Sequence, residues 1–323
     1  MPALRRREVI SLLGGAATAW PLAARAQQPT MPMVGFLNGG SPAAFAELVG
    51  AFRRGLQDTG YVEGQNVSVE YRWAEGRHDR LPALAADLVN RRVAVIASTG
   101  GPDVVEAAAA TTSTVPIVFL GSDNVLKKGV STSLNRPSGN VTGVAMSVTA
   151  LLSKCLQFLD ELAAKLNPNS STTADDKDEI QAAARQIGRT IFIVTAANES
   201  EIDTVFATLA ERQAGGLVVQ GDILFTNRRA DMVARAARQA IPAIYVWSEF
   251  TAVGGLIAYG NSLAEGYAQV GNYTGRILHG AKPGDLPIMQ PMRYRFTINL
   301  KTAKTLGLTI PASLLILADE VIE

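Results

Sequence analysis

Short apolar runs alternate with longer amphipathic stretches along most of this chain, and that rhythm constrains its fold more than any other feature. It begins with an apolar run at 33–37 and a helical stretch at 44–59, where Phe45, Leu48, Val49, Phe52 and Leu56 recur at three- and four-residue steps. Residues so spaced share one helix face that must be buried, and Gly60 ends the helix. The pattern then predicts a strand at 67–71, a helix at 81–90, a strand at 93–98, a helix at 103–112 and a strand at 117–120. The run Val93-Ala94-Val95-Ile96-Ala97 has no polar alternation. Such a run suits a parallel strand covered on both faces.

The alternation resumes with strands at 190–194, 216–219 and 243–245 and helices at 199–212 and 227–240. It ends with a strand at 256–259, a helix at 262–278, a strand at 294–299 and a helix at 301–306. Two similar α/β halves built on open parallel sheets are therefore expected. Between them, 167–178 (NPNSSTTADDKD) is polar and turn-rich, and reads as an exposed, flexible insert.

Residues 1–26 carry a different message. Arg5-Arg6-Arg7-Glu8-Val9-Ile10 is followed by a short apolar run to Ala23 and the small-x-small end Ala24-Arg25-Ala26. This order fits a secretory signal peptide of the twin-arginine type, cleaved after Ala26, which places the mature protein in the periplasm. The alternative, an uncleaved anchor, meets a short run interrupted by Gly14, Gly15 and Pro21. Cleavage removes four arginines and one glutamate from 30 basic and 29 acidic residues, leaving a net charge near −2. No basic run remains to bind nucleic acid. No later apolar segment is long enough to span a bilayer, and Cys155 lies too far from the new N-terminus to carry a lipid there. A free, monomeric periplasmic protein is expected, without a disulfide framework, since the chain has one cysteine.

Ligands of open α/β sheets sit beyond the carboxyl ends of the strands, so those loops hold the candidate site. After the first strand comes Asn38-Gly39-Gly40-Ser41, after the third Ser98-Thr99-Gly100-Gly101-Pro102, and after the fourth Gly121-Ser122-Asp123-Asn124. Glycines allow close backbone approach and free amides at a helix start favour an anion, which makes 98–101 the best anion cradle. Each loop alone also reads as an ordinary helix-capping turn. The second half adds Asp222 and Phe225, then Tyr245, Trp247 and Glu249, then Tyr259 and Asn261. A ligand with an apolar or aromatic body and a cationic group suits this set, with Asp123, Asp222 or Glu249 as counter-charge. Tyr245 as a core residue and Glu249 as a solvated loop charge remain the plain alternatives.

Catalysis, a cofactor and a metal find little support. His78 lies in a polar loop and His279 near a helix C-terminus, and neither sits beside a candidate nucleophile. There is no metal-ligand spacing, no GxxxxGK[ST] and no GxGxxG, and Cys155 reads as a small buried apolar residue.

Three stretches carry a resemblance: Gly60-Tyr61-Val62-Glu63-Gly64-Gln65-Asn66-Val67, Tyr71-Arg72-Trp73-Ala74-Glu75-Gly76 and Leu81-Pro82-Ala83-Leu84-Ala85-Ala86-Asp87-Leu88. With Leu134 to Gly143 (LNRPSGNVTG), Ala240 to Tyr245 (AIPAIY) and Ile298 to Lys304 (INLKTAK), they extend over nearly the whole chain. The chain resembles ABC-transporter substrate-binding proteins, in the family that includes tryptophan- and tyrosine-binding proteins and its twin-arginine branch. That resemblance implies a type I periplasmic binding fold, two Rossmann-like lobes with parallel sheets joined by a three-crossover hinge. Lobe 1 would comprise 31–143 plus 262–280 and lobe 2 would comprise 144–261 plus 285–323. Asn38, Ser41, Ser98, Thr99, Gly100 and Asp123 would face Asp222, Phe225, Trp247, Glu249 and Asn261 across a cleft. The implied function is a solute receptor that closes on a small molecule, an amino acid or aromatic acid, and delivers it to an ABC permease. A ligand sensor for a membrane kinase or chemoreceptor is the alternative, and an α/β enzyme a more distant one. Relatives show an apolar strand where this chain keeps only Ala163-Ala164-Lys165-Leu166-Asn167-Pro168, so lobe 2 is expected to lack its first strand. They also often carry proline where Asn124 stands.

Overall fold

The computed structural model describes residues 31–122, 131, 133–137, 139–146, 149–162, 169–172, 185, 188, 190–290 and 294–323. The expected signal segment, Asp123 and Asn124 lie outside the described residues. The first half runs β1 (Met33–Asn38), α1 (Ala46–Gln57), β2 (Ser68–Trp73), α2 (Leu81–Asn90), β3 (Val95–Thr99), α3 (Pro102–Thr111), β4 (Ile117–Ser122) and β5 (Val141–Met146). These strands form one sheet in the order β2-β1-β3-β4-β5, with every pairing parallel. Both faces are buried, as the unalternating strands demand. Val34, Phe36, Ala97 and Val118 belong to the core shared with α1, while Leu37, Ile96 and Phe119 pack among Leu81, Leu88, Val104 and Val105 of α2 and α3.

The chain then crosses to a second sheet through α4 (Thr149–Leu162), β6 (Asn169–Thr172), β7 (Thr190–Ile193), α5 (Glu199–Glu211), β8 (Gly216–Val219), α6 (Ile223–Asn227) and α7 (Arg229–Arg238). It continues through β9 (Ala243–Trp247), α8 (Glu249–Ala252) and β10 (Ile257–Asn261). Helix α9 (Leu263–Leu278) returns to pack on α1 and on β3, β4 and β5. Residues 286–289 stay with the first sheet, since the Ile288 amide donates to the Leu134 carbonyl and the Met289 amide to that of Gly143. The third crossing leads to β11 (Arg295–Asn299), α10 (Leu300–Thr305), α11 (Ala312–Leu317) and β12 (Glu320–Ile322). Two Rossmann-like lobes joined by three crossings result, as expected from the sequence. No helix of the described residues is long and apolar enough to cross a membrane.

The second sheet departs from expectation in two ways. Its order is β12-β11-β10-β9-β8-β6-β7, and β11 runs antiparallel to β10. The expectation that lobe 2 lacks its first strand, with 167–178 as an insert, is corrected. Asn169–Thr172 pairs in parallel with β7 on one side and β8 on the other, placing Ser170 beside Ile191 and Ser171 beside Leu217. A ladder is made by backbone amides and carbonyls, so an Asn-Ser-Ser-Thr segment can complete it without the apolar run by which strands are recognised.

Helix α4 covers this sheet with Leu151, Leu152, Cys155, Leu156, Phe158 and Leu159, all buried. Burial alone pushes the Cys155 thiol up to about 12, and its Sγ lies 3.8 Å from the Tyr259 carbonyl oxygen. A thiol held protonated and covered is inert. Cys155 in the native protein should therefore react with a disulfide reagent at neutral pH at least about a hundredfold more slowly than in urea. Equal rates, measured by absorbance, would mean that lobe 2 opens freely around α4.

Candidate functional site

In the first sheet β1 is flanked by β2 and β3, so the direction of winding reverses between β1 and β3, the place where such sheets bind ligands. Asn38 and Thr99 end those two strands in register. Asn38 is fully buried and its side chain is fully committed: Nδ2 donates to Thr99 Oγ1 at 2.8 Å and to the Tyr267 hydroxyl of α9 at 2.9 Å, and Oδ1 accepts the Gly40 amide at 2.6 Å. The knot binds the two strand-end loops to each other and to α9. Gly100, at φ +83°, closes it, because a Cβ there would stand 2.7 Å from Asn38 Oδ1. The loop 38–41 is also tied to the end of β2, since the Glu75 and Gly76 amides donate to the Gly40 and Gly39 carbonyls.

Beside the knot, Ser98 is fully buried and its Oγ has no hydrogen-bond partner among the described residues. Helix α3 follows Gly101, whose φ is +124° and which gives no side-chain cap to the helix amides. Asp103 in the first turn of α3 pairs with Nδ1 of His78, the residue that opens a short 3-10 turn after β2. Lobe 1 thus offers the orphan Ser98 hydroxyl and uncapped α3 amides, with a His–Asp pair nearby.

In lobe 2 the loop after β8 delivers Asp222, the N-cap of α6, whose Oδ1 accepts the Leu224 amide at 2.6 Å. Its surface is open to water, yet protein crowds it on several sides and raises its pKa by desolvation; the amides of Leu224 and Phe225 and the His78 ring pull the other way. A carboxyl at once accessible and poorly solvated is a candidate binding group. The electrostatic influence of the His78 ring on this carboxyl means that the loops after β2 and β8 approach each other.

Trp247 and Phe225 are largely buried, so both serve the packing around the site more than its surface. The Trp247 indole lies against Gly221, where a Cβ would come within 2.5 Å of Cζ2. Glu249 is half-buried, and its Oε1 accepts the Ala264 amide of α9 at 3.0 Å and the Ser262 hydroxyl at 3.2 Å. It braces the β10–α9 crossing at the positive end of that helix, and burial raises its pKa against those same hydrogen bonds. Asn261, at the end of β10, is buried and neither its Oδ1 nor its Nδ2 has a hydrogen-bond partner among the described residues. Ser41 meets lobe 2 through its backbone, donating its amide to Asn227 Oδ1 at 3.3 Å.

The expected residues therefore divide by what they touch. Asn38, Thr99 and Gly100 form one knot, Ser41 joins the lobes, Glu249 holds a helix start, Asp222 caps α6, and Ser98 and Asn261 keep side-chain polar atoms with no partner among the described residues. Sequence reasoning missed Tyr267, Asn227, Arg229 and the His78–Asp103 pair. Tyr267 falls on the apolar face of α9 and has no sequence mark of its own. The histidine was visible, but its partner lies 25 residues away.

Comparison with known proteins bears on the fold and the family. A tyrosine-binding protein of Clostridioides difficile (strain R20291) is 22% identical over 264 residues, covering 80% of this chain and 75% of the relative. A conserved domain protein of Vibrio cholerae superposes with a TM-score of 0.80 at 20% identity, over 90% of this chain and 100% of the other. An ABC domain from Streptococcus pneumonia in complex with L-Trp gives the same TM-score and identity over 91% of this chain and 100% of its own. A ligand-free, open substrate-binding protein from Clostridium difficile gives 0.63 at 20% identity, over 90% and 99%. At these identities the structural likeness shows the fold. The profile of the family described as ABC transporter substrate binding protein matches residues 40–322, nearly the whole chain, and the chain belongs to that family.

Proposed function

We propose that this chain is a non-catalytic periplasmic receptor that closes its two lobes on an amino acid or aromatic acid and presents it to an ABC permease of the inner membrane. The observation that carries this reading is Asp222, the exposed N-cap of α6 on the loop after β8, partly desolvated and within electrostatic reach of His78 in lobe 1. A carboxylate in that setting is poised for a ligand ammonium group. Ser98 and the first amides of α3 are suited to a ligand carboxylate, and Asn261 to a further polar group. Asn38, Thr99 and Glu249 act through the backbone they hold. The ligands of two similar proteins, tyrosine and L-Trp, support the amino-acid class.

The lobes in this reading are close to the expected 31–143 with 262–280 and 144–261 with 285–323, with residues 144–146 of β5 and 286–289 going to lobe 1 by their pairing with the first sheet, working as a monomer after export and cleavage at Ala26. Calorimetric titration of the mature protein with L-tryptophan, L-tyrosine and benzoate is the test. Saturable one-to-one heat from at least one compound is expected. Absence of heat from all three, with unchanged melting temperature, would count against the ligand class.

A further inference from the structure

The lobes touch on the loop that follows the strand-end knot, where Asn227 and Arg229 of lobe 2 bond the backbone of lobe 1. Arg229, the first residue of α7, donates Nη1 to the Ala44 carbonyl at 2.8 Å while the same nitrogen bonds the Thr226 carbonyl of its own lobe at 3.2 Å. Two residues earlier, Asn227 Oδ1 accepts the Ser41 amide. The target is a fixed one: the Gly40 amide is held by Asn38, the Gly39 and Gly40 carbonyls by amides after β2, and the Ser41 carbonyl by the Phe45 amide. Gly40 cannot carry a side chain here, because a Cβ would lie 2.3 Å from the Phe45 ring and 2.9 Å from Asn227 Oδ1.

We propose that Asn227 and Arg229 form a latch that holds the lobes together independently of what is bound. One charge-assisted and one neutral hydrogen bond are made only when the lobes meet, so they favour the closed arrangement whatever the ligand. Because the latch and Asp222 lie on the same short α6–α7 segment, any movement of α6 toward the ligand also seats the latch. Affinity for every ligand is then scaled by one common factor, while discrimination between ligands is left to the crevice. The latch rests on the reading of the chain as a two-lobed receptor, and its test needs no ligand.

The test is a Ser41→Cys/Arg228→Cys variant, which keeps both Asn227 and Arg229, treated with a short bis-thiosulfonate, with cross-linking followed on non-reducing gels. Cys155 is buried and stays out of the reagent's reach. Rapid cross-linking is expected in the parent pair, falling about tenfold when Arg229→Gln is added and only partly when Arg229→Lys is added. Unchanged labelling of Cys155 in the arginine variants shows that lobe 2 is intact. No cross-link in the parent pair, or the same rate with Arg229→Gln, would overturn the latch. Ligand titration failing while cross-linking depends on Arg229 would reject the proposed ligand and retain the latch.

Discussion

Gly271→Ala should destabilise the protein by at least about 3 kcal/mol, against the usual direction of such a change. In a helix interior, replacing glycine by alanine normally gains about 1 kcal/mol through helix propensity. Gly271 lies inside α9 where that helix meets α1, and its missing Cβ would stand 2.1 Å from the Phe52 carbonyl oxygen and 2.9 Å from the Leu56 amide. Both are backbone atoms, so no rotamer change can make room. The contact is reciprocal: a Cβ on Gly55 of α1 would fall 1.8 Å from the Ala268 carbonyl, and one on Gly275 the same distance from Thr59 Oγ1. The helices would have to separate, opening the core around Phe36, Phe52 and Tyr267. Gly50→Ala on α1 is the matched control, since its nearest neighbour would be an Arg54 nitrogen at 3.7 Å. Urea unfolding should show Gly50→Ala at least as stable as the parent and Gly271→Ala far less so. Parity between Gly271→Ala and the parent would mean that α1 and α9 do not pack backbone to backbone.

That interface also marks what the sequence could convey about the fold. The period of α1, the unbroken run before β3 and the return of the rhythm after residue 190 are local signals, and each matched an element. Close approach of α9 to α1 is non-local. Gly271 and Gly275 look like weak helix positions until the partner helix is in place. The strand Asn169–Thr172 failed for the opposite reason: its sequence lacks the apolar run, and only its neighbours β7 and β8 reveal the ladder. The antiparallel β11 is likewise set by where the third crossing enters the sheet, which no run of residues encodes.

For the site, strand-end position was readable and commitment was not. Asn38 and Glu249 carry the right chemistry in the right loops, yet their polar atoms are taken by Tyr267 and by the start of α9, both distant in sequence. Ser98 and Asn261 come from the same kind of loop and keep theirs free. The difference arises from which side chains the crossings between the lobes bring alongside. Arg229 shows the converse, a residue with an ordinary position in a helix whose role depends on a carbonyl 185 residues away.

Asp222→Asn should lower affinity for an ammonium-bearing ligand such as L-tryptophan by about a hundredfold while leaving the fold intact. Asparagine caps a helix as well as aspartate does, so the bond to the Leu224 amide survives. The carboxyl's pKa is raised in the folded chain, chiefly by desolvation. A raised acid pKa means that the native state holds the proton more tightly than the unfolded chain. Asp222 therefore weakens stability as pH climbs from the ordinary carboxylate range through its raised value, and contributes a constant penalty above it. Removing the charge should leave stability at neutral pH unchanged or slightly higher. Binding runs the other way, because a ligand ammonium needs the ionised form: wild-type affinity should fall on acidification through that raised window, before ordinary carboxylates titrate. The asparagine variant should bind weakly with no such step. Titrations of both proteins with L-tryptophan across the acid range separate the two effects, since a residue that merely caps α6 would give equal affinities and parallel pH profiles.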